Sequence, residues 1–217
     1  MALVRIDTLA GYPVHYDRTT SDAYGKPGTP IRPLIDDRFA RECEACFSQL
    51  RTAIGRRFGG LKVILTGGVG RAGQGASYHH RYRAFDLDGL VFDETTLIAT
   101  EFPSRPEFYL TVEALLRLHF GTVLSYTYNQ AHRDHFHIDN GSSVKFETMS
   151  KSRVQFLQNA LFHIFDIPVG RDGVYGPETD GALRIARDEL GLGPLSDRDN
   201  WRTFLEAIHT RGIERAQ

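Results

Sequence analysis

The sequence predicts an α+β protein: a small antiparallel sheet flanked by helices, followed by a three-helix bundle. Three observations carry this expectation. Short apolar runs of strand length are interspersed with longer stretches of helical periodicity. They lack the regular strand–helix–strand repeat of a parallel α/β fold. From about residue 149 onward the apolar spacing is helical only.

Composition limits the function classes. The 217 residues are 41% hydrophobic and 24% charged, which excludes a disordered or fibrous chain. Lys plus Arg total 26 against 27 Asp plus Glu, for a net charge of −1, so charge-driven nucleic-acid binding is not expected. No run approaches the ~18 apolar residues of a membrane span. Two cysteines exclude a disulfide framework and a four-cysteine zinc site. The start, Met1 to Asp7, lacks the basic, apolar and small-residue regions of a secretory signal. An exported form would therefore use a non-Sec route or have lost its signal.

The elements follow in order. Residues 11–33, rich in Gly, Pro, Thr and Asp, read as an extended arm or loops. From Asp36 to Arg57, Phe39, Cys43, Cys46, Phe47, Leu50 and Ile54 mark one apolar helical face, ended near Gly59-Gly60. Cys43 and Cys46 lie one turn apart on it. Packing as half-buried small groups is favoured for them over a redox or metal pair. Leu61–Thr66 reads as a strand. Gly67–Ser77 is a glycine-rich loop whose one charge is Arg71. Ala84–Phe92 reads as a second strand, Pro106–Phe120 as a helix, and Val123–Tyr126 and His135–Asp139 as further strands. Beyond Phe146–Lys151, a helix runs through Val154, Leu157, Leu161 and Ile164. A turn at Arg171–Pro177 leads to a second helix with Thr179 near its start and Ala182, Leu183, Ile185 and Ala186 along it, and a third spans about Arg202–Ile208.

The chemistry is concentrated in two segments. Of nine histidines, His79 and His80 sit in one, and His132, His135 and His137 in the other, each with aspartates close by. Imidazole and carboxylate are ligands of catalytic zinc, which takes three protein ligands and leaves a fourth position for water. Two His and one Asp leave such a site with net positive charge, which lowers the pKa of bound water. His135 and His137 are two apart, so on a strand they share a face. One can bind metal while the other faces the substrate. Two clusters with neighbouring aspartates favour a metal site over chance grouping.

The first segment, Ser77-x-His79-x-x-Tyr82-x-Ala84-x-Asp86, resembles the Ser-x-His-x-x-Gly-x-Ala-x-Asp signature of zinc D-alanyl-D-alanine peptidases. The second, His132-x-Asp134-His135-Phe136-His137, resembles their His-x-His motif. Within that superfamily the extensin-like C-terminal branch is the nearest likeness, over about Phe39 to Asp139. The resemblance implies zinc ligands at His79, Asp86 and His137, with His80 off register. It implies a proton-transferring base at either His135 or Asp134; strand parity favours His135. It also implies an oxyanion-stabilising arginine, for which Arg71 is the candidate. One position departs: Tyr82 stands where the family has glycine, which implies a different local turn or a reshaped cleft.

The C-terminal segment resembles a three-helix peptidoglycan-binding domain. The likeness rests on Val154-x-x-Leu157-Gln158-x-x-Leu161, then Asp172-Gly173-Val174-Tyr175-Gly176-Pro177-x-Thr179, then Ala182-Leu183. Gly173 and Gly176 would supply its tight turns. Trp201 and Leu205 match its close loosely, and Leu195–Asp199 replaces its second Asp-Gly turn.

Together these imply a catalytic domain at 1–148 and a peptidoglycan-binding-like domain at 149–217. The expected activity is zinc-dependent hydrolysis of a peptidoglycan stem or cross-link peptide, of DD-carboxypeptidase or endopeptidase type. The expected protein is a monomer acting in the periplasm or cell wall, as a remodelling enzyme, a lysin or an antibacterial toxin. A toxin would add an immunity protein and a secretion apparatus as partners. The alternatives are a non-catalytic zinc-containing peptidoglycan-binding protein and a non-haem iron oxygenase. The oxygenase is disfavoured because its His and Asp usually lie two apart, whereas His79 and Asp86 are seven apart.

Overall fold

The computed structural model describes residues 2–216. Its N-terminal arm carries β1 (Leu3–Arg5), β2 (Thr8–Leu9), β3 (Tyr12–Tyr16), β4 (Thr29–Pro30) and β5 (Leu34–Asp36). Next come α1 (Asp37–Phe58), β6 (Leu61–Val69), β7 (Ala84–Phe92) and β8 (Thr96–Ile98). Then follow α2 (Pro106–His119), β9 (Thr122–Leu124) and β10 (Phe136–Asp139), and finally α3 (Lys151–His163), α4 (Pro177–Leu190) and α5 (Arg198–Arg215).

The α+β class holds, but the sheet is neither small nor wholly antiparallel. Eight strands form it in the order β2-β3-β6-β7-β10-β9, with β4 beside β3 and β8 beside β7. The pair β3–β6 is parallel, with Val14 opposite Ile64 and Tyr16 opposite Thr66. The short strands of the arm lie between Pro and Gly residues, which hid them in the sequence. A parallel pair needs a long crossover, and α1 lies within it. The Asp36 carboxylate caps α1 by accepting from the Phe39 N–H at 3.1 Å.

The pleat of β7 and β10 sorts residues by face. Phe85, Leu87, Phe136 and Ile138 point into the core. Helices α1 and α2 cover that face: Phe47 meets Phe85 at 5.8 Å between ring centroids, and Tyr109 stacks on Phe136 at 4.3 Å. Residues 86 and 137, directly opposite each other in register, point the other way. Burying aromatic side chains at about 1.5–3 kcal/mol each therefore fixes the register that presents the polar set. Cys43 and Cys46 are fully buried rather than half-buried, and burial pushes both thiols up.

The C-terminal unit is three helices, as expected, with a longer last one. Asp197, in the segment that replaces a second Asp-Gly turn, caps α5 by accepting from the N–H groups of Asp199 and Asn200. Gln158 is buried and ties the 172–179 turn together. Its amide donates to Asp172 Oδ1, Val174 O and Thr179 Oγ1, and its Oε1 accepts from Gly173 N. Gly173 adopts a left-handed φ of 79°, as the tight turn requires. Gly176 is extended, with φ −125°, so its backbone does not require glycine. The apolar core continues across residue 148 without a break, and α5 packs against α2. Among the described residues no helix is long and apolar enough to cross a membrane.

Candidate metal centre

Three side chains from three elements converge on the polar face of the sheet. Asp86 stands on β7 and His137 opposite it on β10. His79 comes from a single helical turn, Tyr78–His80, whose start is capped by the Ser77 hydroxyl accepting from the His79 N–H at 3.3 Å. His79 Nε2 lies 3.1 Å from Asp86 Oδ1 and 3.2 Å from His137 Nδ1, which is itself 3.0 Å from Asp86 Oδ1. Tetrahedral zinc with ligands at about 2.0–2.1 Å separates them by roughly 3.3 Å. The triangle is thus close to the size that a four-coordinate ion needs.

The donor chemistry also fits a cation. On its far side, His137 Nε2 faces Asp139 Oδ2 at 3.1 Å, which places the ring proton there and turns the Nδ1 lone pair inward. Asp139 is anchored in turn by accepting from the Gly141 N–H at 2.7 Å. Three electron-rich atoms then face one another and need positive charge among them, either a proton or a metal. Burial opposes the Asp86 charge, but hydrogen bonds with His137 and His79 outweigh it and hold the carboxyl far below the usual range. Burial likewise opposes charge on His137, yet Asp139 and Asp86 push its pKa up to about 9.

In the metal-free protein the proton on His137 stabilises the fold fully below the ordinary histidine value of 6.5, and that contribution is lost as pH rises through about 9. A metal must displace this proton, so affinity should weaken about tenfold per pH unit below that value. A chelator-competition titration should find zinc bound roughly a hundredfold more tightly at pH 8 than at pH 6; a flat profile would contradict the assignment. Asp139→Ala should cost about 10- to 100-fold in zinc affinity with the three ligands intact, by the same titration. Unchanged affinity would show that Asp139 does not orient His137.

The other expected residues distribute around this centre. His135 turns Nε2 inward, 3.6 Å from Asp86 Oδ1, and sets Nδ1 2.8 Å from Asp134 Oδ1. Asp134 therefore stands behind His135 rather than within the triangle. Arg71 is exposed in its loop, where its backbone N–H donates to the His79 carbonyl at 2.7 Å. His80 packs against Gly73, outside the ligand group.

Tyr82 adopts a φ of 57°, the left-handed conformation that favours glycine. A tyrosine held in that conformation costs about 1–2 kcal/mol relative to the ordinary right-handed or extended backbone. Two hydrogen bonds hold it: Tyr82 N–H to His79 O and Asp36 N–H to Tyr82 O.

Two further residues at the site carried no role in the sequence. Asp139 had a legible signal, being two residues from His137 on one strand face. His132 lines the wall, with its ring centroid 5.0 Å from that of His135 and 6.0 Å from that of His137. Burial, then the neighbouring imidazoles, push its pKa down to about 4, and Asn129 Oδ1 lies 2.7 Å from its Nδ1.

Residues 67–149 match the family model described as Extensin-like protein C-terminus. The matched segment holds His79, Asp86 and His137 together with Arg71, Asp134 and His135. It covers well under half of the chain, leaving out the N-terminal arm, α1 and nearly all of the C-terminal helical unit. No curated protein and no solved structure matches the chain significantly.

Proposed function

We propose that the protein is a zinc-dependent hydrolase of a peptide bond in peptidoglycan, of DD-carboxypeptidase or endopeptidase type. The observation that carries this reading is the His79–Asp86–His137 triangle with a fourth side chain, His135, aimed at it and backed by a carboxylate. Structural zinc sites are usually closed by four protein ligands, whereas three ligands beside a base fit a hydrolytic centre. When bound, the ion supplies Lewis acidity, polarising a water and the scissile carbonyl.

The chain's own residues supply the rest. His79, Asp86 and His137 hold the ion. Asp134 accepts the Nδ1–H of His135, which leaves the Nε2 lone pair facing the centre. His135 takes the proton of the attacking water at Nε2 and passes it to the leaving amine. Arg71, exposed beside His79, offers its guanidinium to the developing oxyanion.

The C-terminal helices keep the enzyme on an insoluble polymer by raising its local concentration. A cleft of about 700 Å³ beside α4, lined by Phe146, Tyr175, Asp180, Leu183, Arg187 and Leu195, offers a surface for the polymer. The site of action is then the periplasm or cell wall and the working form a monomer, with an immunity protein and a secretion apparatus as partners if the protein is a toxin.

The test is digestion of purified peptidoglycan by the zinc-loaded protein, with fragments identified by mass spectrometry and His137→Ala as control. The expected result is a peptide-bond product absent from the control. Stoichiometric zinc and co-sedimentation with sacculi but no product would favour a binding protein instead. Iron with oxygen-dependent turnover would indicate an oxygenase.

A further inference from the structure

The polar face of the sheet is completed by a residue far from both histidine segments. Arg18 follows β3 in the N-terminal arm, outside the segment that matches the family. Its guanidinium forms a two-pronged pair with Asp88 on β7, with Nε 2.5 Å from Oδ2 and Nη2 2.9 Å from Oδ1. Its remaining nitrogen, Nη1, donates to Asp134 Oδ2 at 2.8 Å, and Nη2 also reaches the Asp134 carbonyl at 3.3 Å. The other oxygen of Asp134 is the one that meets His135 Nδ1.

Asp88, at the base of this assembly, is fully buried. Tyr24 adds a second clamp from the arm: its hydroxyl donates to the Asp134 carbonyl at 2.7 Å, and Arg18 lies 5.6 Å over its ring. Asp17 fixes the turn that carries Tyr24 by accepting from the Gly25 N–H at 2.8 Å. A Cβ on Gly67 would lie 2.3 Å from Arg18 Nε, so the glycine leaves room on β6 for the guanidinium.

We propose that Arg18 is a positioning residue for His135, acting through Asp134. An aspartate on an exposed loop has several rotamers of similar energy. Held at one oxygen and at its carbonyl by Arg18, and again at the carbonyl by Tyr24, Asp134 keeps its other oxygen on His135 Nδ1. That contact selects the tautomer with the proton on Nδ1 and the lone pair on Nε2 facing the metal centre. The arm is thereby part of the site, and the family-like segment alone lacks the group that aims its base. Lysine cannot replace this device fully, since a point charge cannot span Asp88 and Asp134 as a planar fork does.

The proposal rests on His135 being the base of the hydrolase reading, and its test separates the two. In the full-length, zinc-loaded protein, Arg18→Met should leave zinc stoichiometry unchanged and KM nearly so, and lower kcat on purified sacculi about 10- to 100-fold. Arg18→Lys should recover part of the loss. The double variant Arg18→Met/Asp134→Asn should be no slower than Asp134→Asn alone, because the two act in one chain. Long-range ¹H–¹⁵N spectra should show His135 protonated at Nδ1 in the wild type and a mixture of tautomers in Arg18→Met. Tyr24→Phe, which removes one hydroxyl, should shift the tautomers in the same direction and serves if Arg18→Met does not fold. Multiplicative losses in the double variant, or an unchanged His135 tautomer, would overturn the proposal. If the wild type cuts no wall peptide, the hydrolase reading fails, and the tautomer comparison still decides the role of Arg18.

Discussion

On the proposed hydrolase reading, replacing His137 by alanine should abolish metal retention and, with it, hydrolysis. The substitution removes one of three ligands and leaves Asp86 and His79 without the third corner of their triangle. Polarisation by a bound ion contributes several kcal/mol to transition-state stabilisation, so the rate should fall by at least about 10³-fold. The same change leaves Asp139, only 6% exposed, without its imidazole partner. A buried acceptor left unpaired costs about 1–3 kcal/mol, so the fold survives but melts earlier. Metal analysis after dialysis, alongside circular dichroism, separates the two effects. A folded variant that keeps one zinc per chain would remove His137 from the ligand set.

Replacing Arg117 by methionine should destabilise the fold by about 3–5 kcal/mol. Arg117 and Glu113 are both only 2% exposed and form an ion pair one turn apart within α2. Glu113 Oε1 accepts from Arg117 Nε at 3.0 Å and Nη2 at 2.7 Å, and from Ser125 Oγ at 3.1 Å. Arg117 Nη2 also donates to Val123 O and Ser152 O, which ties β9 to the start of α3. Without the guanidinium, a buried carboxyl that burial already pushes up loses its counter-charge. Exposed pairs such as Arg38–Glu42 contribute ~1 kcal/mol at most, so the contrast is large. Urea unfolding of the full chain should show the loss, and the double change Glu113→Leu/Arg117→Met should recover much of it. A loss under about 1 kcal/mol in the single variant would mean that water or another group replaces Arg117.

The candidate centre was legible in the sequence because its signals are local. His79 and Asp86 stand at a motif's spacing, and the alternation of Phe136, His137 and Ile138 fixes which side chain leaves the core. The second strand spans Ala84–Phe92 as expected, since its apolar residues and flanking turns leave little choice. What was not legible depends on contacts distant in sequence. The strands of the arm are short, and β3 is stabilised by pairing with β6, some fifty residues away, so no local pattern announces it. Arg18 and Tyr24 acquire their roles only when that pairing places them beside Asp134. The third helix extends from 198 to 215 because Asp197 caps it and α2 receives it, whereas its own apolar periodicity is brief. The left-handed backbone of Tyr82 is illegible for a different reason: a tyrosine does not announce it, and the hydrogen bonds that hold it come from His79 and from Asp36, some forty-six residues away.

The most direct measurement on the metal centre is X-ray absorption at the zinc edge of the full-length, zinc-loaded protein. A centre built from His79, Asp86 and His137 should show four light-atom ligands at about 2.0–2.1 Å, with scattering from two imidazoles and no sulfur shell. A sulfur shell near ~2.3 Å, which would place the ion on Cys43 and Cys46, or a shell without imidazole scattering, would contradict a centre built from His79, Asp86 and His137.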